Sequence, residues 1–135
     1  MTNADIAEEV RAFLLAYVHS YEQLETLILL HQHPERDWSA AEVGAELKIS
    51  TVSAAEALQF LSANLLLERV GLPPLSYKLS GEDVRRIMRS LAYLYNANRL
   101  LVMQLMNANA IERVRTSALR AFADAFLIGG KKKDG

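Results

Sequence analysis

The stretch from residue 39 to residue 80 constrains this chain most, because its periodicity changes from helical to strand-like across short, well-marked turns. Ser39-Ala-Ala-Glu42 sets a serine three residues before a glutamate, the pairing that satisfies two free amide donors at a helix start. Ala40, Val43 and Leu47 then recur at helical spacing, Lys48-Ile49-Ser50 interrupts, and a second apolar helix is expected from Thr51 to Asn64. Leu65-Leu-Leu-Glu-Arg-Val70 reads as a strand, Pro73-Pro74 as a turn and Ser76-Tyr-Lys-Leu79 as a returning strand. Two short helices across a tight turn, followed by a hairpin, make a helix-turn-helix with a β-wing.

Helices are expected on both sides of this unit. Ile6, Val10, Phe13 or Leu14, and Tyr17 give residues 4–19 one apolar face. Ser20 with Gln23 starts a second helix, Tyr21 to about Leu30, whose core residues are Leu24, Leu27 and Ile28. His31-Gln-His-Pro-Glu-Arg-Asp37 is a polar connection in which Pro34 opposes helix continuation, and Trp38 marks a short first strand.

After the wing, Ser80 opens a long helix expected from Gly81 to Met106. Val84, Leu91, Asn98 and Leu105 recur every seven residues, with Ile87, Leu94 and Leu101 three further on, so Asn98 is the one polar residue of an apolar seam. From Leu100 to Met106 only Gln104 is polar, so this segment needs cover on more than one side, from a second copy or from the first helix. Asn107 and Asn109 are expected to interrupt, and a last helix to run from Ala110 to about Leu127. Gly129-Gly130 ends it, and residues 129–135 form a flexible basic tail. The fold class is mainly α: one domain over 1–128, with an N-terminal helix (4–19), a winged helix-turn-helix (20–80) and C-terminal helices (81–128).

A chain of 135 residues, 51% of them apolar, supports one folded core. No apolar run approaches the roughly 20 residues that cross a bilayer, so no membrane partner is expected. The acidic start lacks the basic region of a secretory signal, so a cytoplasmic location is expected. Without cysteine there is no disulfide, thiolate site or cysteine nucleophile. His31 and His33 beside Glu35 and Asp37 are the only metal-like grouping and read as exposed loop residues. The glycines are scattered, with no phosphate-cradling spacing, and nothing near His19 resembles a triad. No catalytic residue, metal or cofactor is expected.

Charge is unevenly distributed. Residues 20–80 hold eight acids against four bases, whereas residues 81–135 hold ten bases against five acids. Protein–DNA affinity rests largely on Lys and Arg at phosphates, yet the helix from Thr51 carries Glu56 as its only charge. Val52, Ala55, Leu58 and Leu61 are expected to face its core; Thr51, Ser53, Ala54, Ala57 and Gln59 then face outward, offering no bidentate Arg-to-guanine contact. DNA contacts would come from Lys48, Thr51, Ser53, Gln59 and Lys78, with Arg85, Arg86 and Arg89 at phosphates. A homodimer would form through Val10, Phe13, Tyr17, Leu91, Tyr95, Asn98, Val102, Leu105 and Phe122, with an apolar effector pocket near Tyr93, Tyr95 and Met103.

The order helix, winged helix-turn-helix, long helix, final helix resembles MarR-type transcriptional regulators across almost the whole chain, on the Ser39–Ser50 region, the Ile49-Ser50 entry and Tyr77-Lys-Leu-Ser80. That resemblance implies a homodimer built from the outer helices, with wings that flank DNA. The wing departs from that pattern: Gly71-Leu-Pro-Pro-Leu75 is short and uncharged where the family usually carries a longer loop with an Asp-x-Arg element. Arg120-Ala-Phe-Ala-Asp-Ala-Phe126 also resembles the ending of a little-characterised group of bacterial winged-helix proteins. The expected function is a winged-helix transcriptional regulator binding DNA as a homodimer. The alternatives are a protein-interaction module, with the Ala-rich helix as its docking face, and a dimerisation scaffold.

Overall fold

The computed structural model describes residues 2–73 and 75–134; at residues 3 and 128–134 only the backbone is described. The elements are α1 (Asn3–Tyr17), α2 (Tyr21–Gln32), β1 (Trp38–Ser39), α3 (Ala40–Leu47), α4 (Thr51–Ala63), β2 (Leu67–Val70), β3 (Ser76–Leu79), α5 (Gly81–Ala97) and α6 (Arg99–Asp134). The three strands form one antiparallel sheet in the order β1-β3-β2. Trp38 pairs with Tyr77 on one side of β3, and Glu68 with Lys78 on the other. This is a winged-helix fold.

Local chemistry explains the helix-turn-helix. Ser39 Oγ accepts from the Glu42 amide at 3.2 Å while Glu42 Oε1 accepts from the Ser39 amide at 2.9 Å, so the capping box forms as expected. Lys48 closes α3 in the left-handed region, φ 58°, and the Ile49 amide donates to the Gly44 carbonyl at 3.0 Å. The turn lies so close on α3 that a Cβ at Gly44 would sit 3.0 Å from the Ile49 carbonyl oxygen. Ser50 then caps α4, accepting from the Ser53 amide at 3.0 Å.

Val10, Leu14, Leu24, Leu27, Val43, Leu58, Leu61, Met88, Leu91 and Val102 are fully buried and come from all six helices, joined by Val18 at the end of α1. α1 packs on α5 and α6, and α2 packs on α4 and α5. The buried face of α4 is Ala54, Ala57, Leu58 and Leu61, while Val52 is exposed. This corrects the expected facing of Val52, Ala54 and Ala57. With alanines at 54, 55 and 57 the apolar stripe has two possible faces, and packing selects the one that lets α4 lie close on its neighbours.

The seam through Asn98 is also corrected. Asn98 leaves the helix, φ −154°, and its Oδ1 accepts from the Leu101 amide at 3.1 Å, so it ends α5 and caps α6. The expected break at Asn107 and Asn109 is absent. Asn109 is buried with its amide donating to the Arg11 carbonyl at 3.2 Å, and Asn107 accepts from the Tyr21 hydroxyl. Each asparagine is satisfied without breaking the helix. Gly129-Gly130 does not end α6 either, since the backbone stays helical to Asp134; glycine costs about 1 kcal/mol relative to alanine within a helix but does not forbid it.

Candidate nucleic-acid interface

The outer side of α4 presents Thr51, Val52, Glu56 and Gln59 to solvent, with Ser53 half-buried. The Ser53 hydroxyl oxygen accepts from Ser50 Oγ at 2.9 Å, so part of its capacity is already used at the cap. Lys48 is exposed at the end of α3, where its left-handed backbone turns the chain into α4. Lys48, Thr51, Ser53 and Gln59 therefore fall within one helix-turn-helix unit. The unit supplies hydroxyl and amide groups, one ammonium, and the Glu56 carboxylate.

The wing is short. Gly71 turns it at φ 79°, and Leu72 at its tip is 87% exposed. Its two bases differ in their company. Lys78 Nζ lies 3.1 Å from Glu68 Oε1 across the β2–β3 ladder, whereas Arg69 has no carboxylate within ion-pair distance among the described residues. On α5, Arg86 pairs with Asp83 at 3.1 Å and Arg89 with Glu82 at 3.0 Å, both pairs being exposed. Arg85 has no such partner among the described residues. Much of the positive charge assigned to phosphates is thus already beside a carboxylate.

Three of those bases meet around one cavity. Lys78, Arg85 and Arg89 line it with Arg36, His31, Leu30, Pro34 and Leu79, enclosing about 210 Å³ between the end of α2, β3 and the start of α5. Arg86 is not among its lining residues. Arg36 pairs with Glu42 and lies over the Trp38 ring, its guanidinium carbon 3.9 Å from the ring centroid. The indole is buried, and its Nε1 has no hydrogen-bond partner among the described residues. Burial, with the positive charge of Arg89, holds the His31 imidazole below its ordinary pKa. Sequence reasoning missed Arg36 and His31 because their neighbours across the cavity lie more than forty residues away in the chain.

The residues expected at a dimer contact separate into two groups. Val10, Phe13, Leu91 and Val102 are buried within the single chain, so their apolar surface is already covered. Tyr17 is exposed, Asn98 occupies the α5–α6 junction, and Leu105 is half-buried. Tyr95 lines a shallow cleft with Glu25, Glu46 and Arg99, whose guanidinium lies 5.0 Å from the tyrosine ring. Of the other two residues placed near an effector pocket, Tyr93 is exposed and Met103 packs half-buried against the core. Phe122 is 73% exposed on α6, as is Phe126, and Ile111, Val114, Leu119 and Leu127 are exposed with them.

Among the described residues no three His, Asp or Glu side chains converge as metal ligands, and no helix is long and apolar enough to cross a membrane.

The architecture is similar to solved winged-helix structures. An apo form of a ZitR variant from Lactococcus lactis is 19% identical, aligning over 93% of this chain and 98% of its own with a TM-score of 0.51. Heme-free PefR is 16% identical over 67% of this chain and 84% of its own, with a TM-score of 0.52. At these identities the likeness establishes the fold. No known protein-family profile and no curated protein sequence matches the chain.

Proposed function

We propose that this protein is a non-catalytic winged-helix transcriptional regulator that binds duplex DNA as a homodimer. The observation that carries the reading is α4 itself, held by a tight turn with Thr51, Val52, Glu56 and Gln59 facing solvent and uncovered by any other element among the described residues. A helix presented this way has the shape that enters a major groove. ZitR and PefR, winged-helix regulators of similar architecture, support the regulatory role. Lys48, Thr51, Ser53 and Gln59 would contact DNA from the helix-turn-helix, and Lys78, Arg85, Arg86 and Arg89 would serve phosphates once their carboxylate partners are displaced.

The dimer is supported by α6. From residue 110 to residue 127 every side chain except Arg113 is exposed, several of them large and apolar. A second copy laid along Ile111, Val114, Leu119, Phe122 and Phe126 would cover them, with Tyr17 and Leu105 at its margin.

A second reading, a protein-interaction module, is favoured by Glu56 as the one charge of α4 and by the Glu68–Lys78 pair on the wing. Two measurements separate the readings. A duplex shift assay across salt should show affinity falling steeply between low and moderate salt, because each phosphate contact releases counterions; no binding at low salt sinks the DNA reading. Glu56→Arg should strengthen non-specific duplex binding severalfold, and an unchanged affinity would place α4 outside the groove.

A further inference from the structure

The cavity between α2, β3 and α5 joins three of the bases assigned above to DNA phosphates with Arg36 and with an apolar lining that contact along a duplex backbone does not require. Four permanently cationic side chains reach it from three directions: Arg36 from the loop before β1, Lys78 from β3, and Arg85 and Arg89 from α5. Leu30, Pro34 and Leu79 give it an apolar lining. At about 210 Å³ it has room for more than a bare oxyanion. The charges are available. The carboxylate partners Glu42, Glu68 and Glu82 are 45%, 51% and 71% exposed, and exposed pairs of this kind are weak enough to exchange for a better-placed anion. Arg85 needs no exchange.

We propose that this cavity is a binding site for a small organic phosphate monoester, its phosphate held by Arg85, Arg89, Lys78 and Arg36 and its carbon body resting on Leu30, Pro34 and Leu79. The head group follows from the number of cationic side chains that line the cavity and the three elements they come from. A carboxylate has two oxygens in one plane, whereas a phosphate monoester carries nearly two negative charges at neutral pH and three acceptor oxygens pointing different ways. Guanidinium groups can meet such oxygens with paired N–H donors. The body follows from the apolar lining, which a free phosphate ion would leave unused. His31, held neutral beside Arg89, adds a hydrogen-bonding group without adding charge. The proposal does not rest on the DNA-binding reading, since the ligand is taken up by the protein alone.

Phenyl phosphate is the probe, titrated into the full chain by calorimetry. Trp38 emission gives a second readout, since it is the only tryptophan and Arg36 lies on its ring. Saturable binding is expected, at least tenfold tighter than inorganic phosphate, phenol or benzoate. Arg85→Ala should weaken it at least tenfold with the circular dichroism unchanged, Lys78→Met should weaken it independently, and Arg115→Ala on α6 should leave it unaltered. Absence of saturable binding to the wild-type chain overturns the proposal, as does equal binding of phenol or benzoate. Equal binding of inorganic phosphate and phenyl phosphate, both displaced by a short duplex, also overturns it, because the cavity would then be a DNA-backbone contact. A duplex shift on the wild-type preparation keeps the outcomes separate: no ester binding with the shift present leaves the regulator reading standing, and ester binding with no shift leaves the site standing.

Discussion

Arg113 on α6 donates to the Leu14 carbonyl on α1 at 2.7 Å, joining positions 99 residues apart in the chain. The same guanidinium donates to the carbonyls of Leu15 and Val18, so one side chain caps the end of α1 where backbone acceptors run out of helical partners. A cation there also opposes the negative end of the helix dipole. Burial lowers the Arg113 pKa from its usual value, but the guanidinium stays charged across the physiological range.

Arg113→Met should therefore lower the unfolding free energy by about 2 kcal/mol, the scale for losing charged hydrogen bonds to half-buried acceptors. Arg113→Lys should recover part of that loss, since an ammonium keeps the charge but cannot span three carbonyls as the fork does. Urea unfolding at one fixed protein concentration measures both. A midpoint unchanged in Arg113→Met would mean that water caps α1 equally well.

Gly44→Ala sets two effects against each other. Alanine gains about 1 kcal/mol of helix propensity over glycine, while its Cβ meets the Ile49 carbonyl at 3.0 Å, a backbone atom that cannot swing aside. The clash should win, giving a net loss of about 1 kcal/mol, within the range for overpacking a tight contact. On the proposed DNA-binding function, duplex affinity should fall with it, because the displaced turn carries α4. Thermal unfolding combined with the shift assay checks both.

Leu65 holds a left-handed backbone, φ 65°, while its side chain is 79% exposed. The conformation costs a residue with a Cβ about 1–2 kcal/mol, and little apolar burial is lost on removing the side chain. Leu65→Gly should stabilise the protein by about 0.5 kcal/mol after glycine's greater unfolded-state entropy is counted. A lower urea midpoint would instead show that Leu65 packs against something when unbound. Ser80 holds this turn from the other side, its hydroxyl donating to the Leu65 carbonyl, so Ser80→Ala should weaken the same junction.

Two histidines link stability to pH. Burial is the main cause that lowers the pKa of His19, aided by Arg113, and likewise that of His31, aided by Arg89. The unfolded chain therefore binds protons more readily than the folded one near the ordinary imidazole value of 6.5. Stability should fall as pH drops through that range, before Glu8 and Glu42, held below their usual value by Arg11 and by Ser39 respectively, begin to protonate. The double variant His19→Asn, His31→Asn should flatten the profile between about pH 7 and 5. A wild-type profile flat over that window would contradict the assignment.

The sequence made the local devices legible and left the long-range ones hidden. Ser39 with Glu42, the turn at Lys48–Ser50 and the paired strands are written within a few residues each, so spacing alone locates them. Asn98, Asn107 and Asn109 look alike in sequence. Only the first ends a helix, because the other two find partners in Tyr21 and Arg11, more than eighty residues away. The facing of α4 was ambiguous because alanine is apolar enough to be inside and small enough to be outside. The cavity escaped notice because its four cations come from three elements that only the tertiary fold brings together.

The length of α6 has a consequence for how this chain melts. Its 36 residues extend about 54 Å at the usual helical rise, and the side chains of residues 110–127 other than Arg113 find little cover within their own fold. A helix without tertiary support is marginal in water. On the proposed dimer, in which a second copy covers this distal part, its ellipticity should depend on how much protein is in the tube, fading on dilution while the near-ultraviolet signal of Trp38 persists. Dilution, and not heat, is then the gentlest way to take the molecule partly apart.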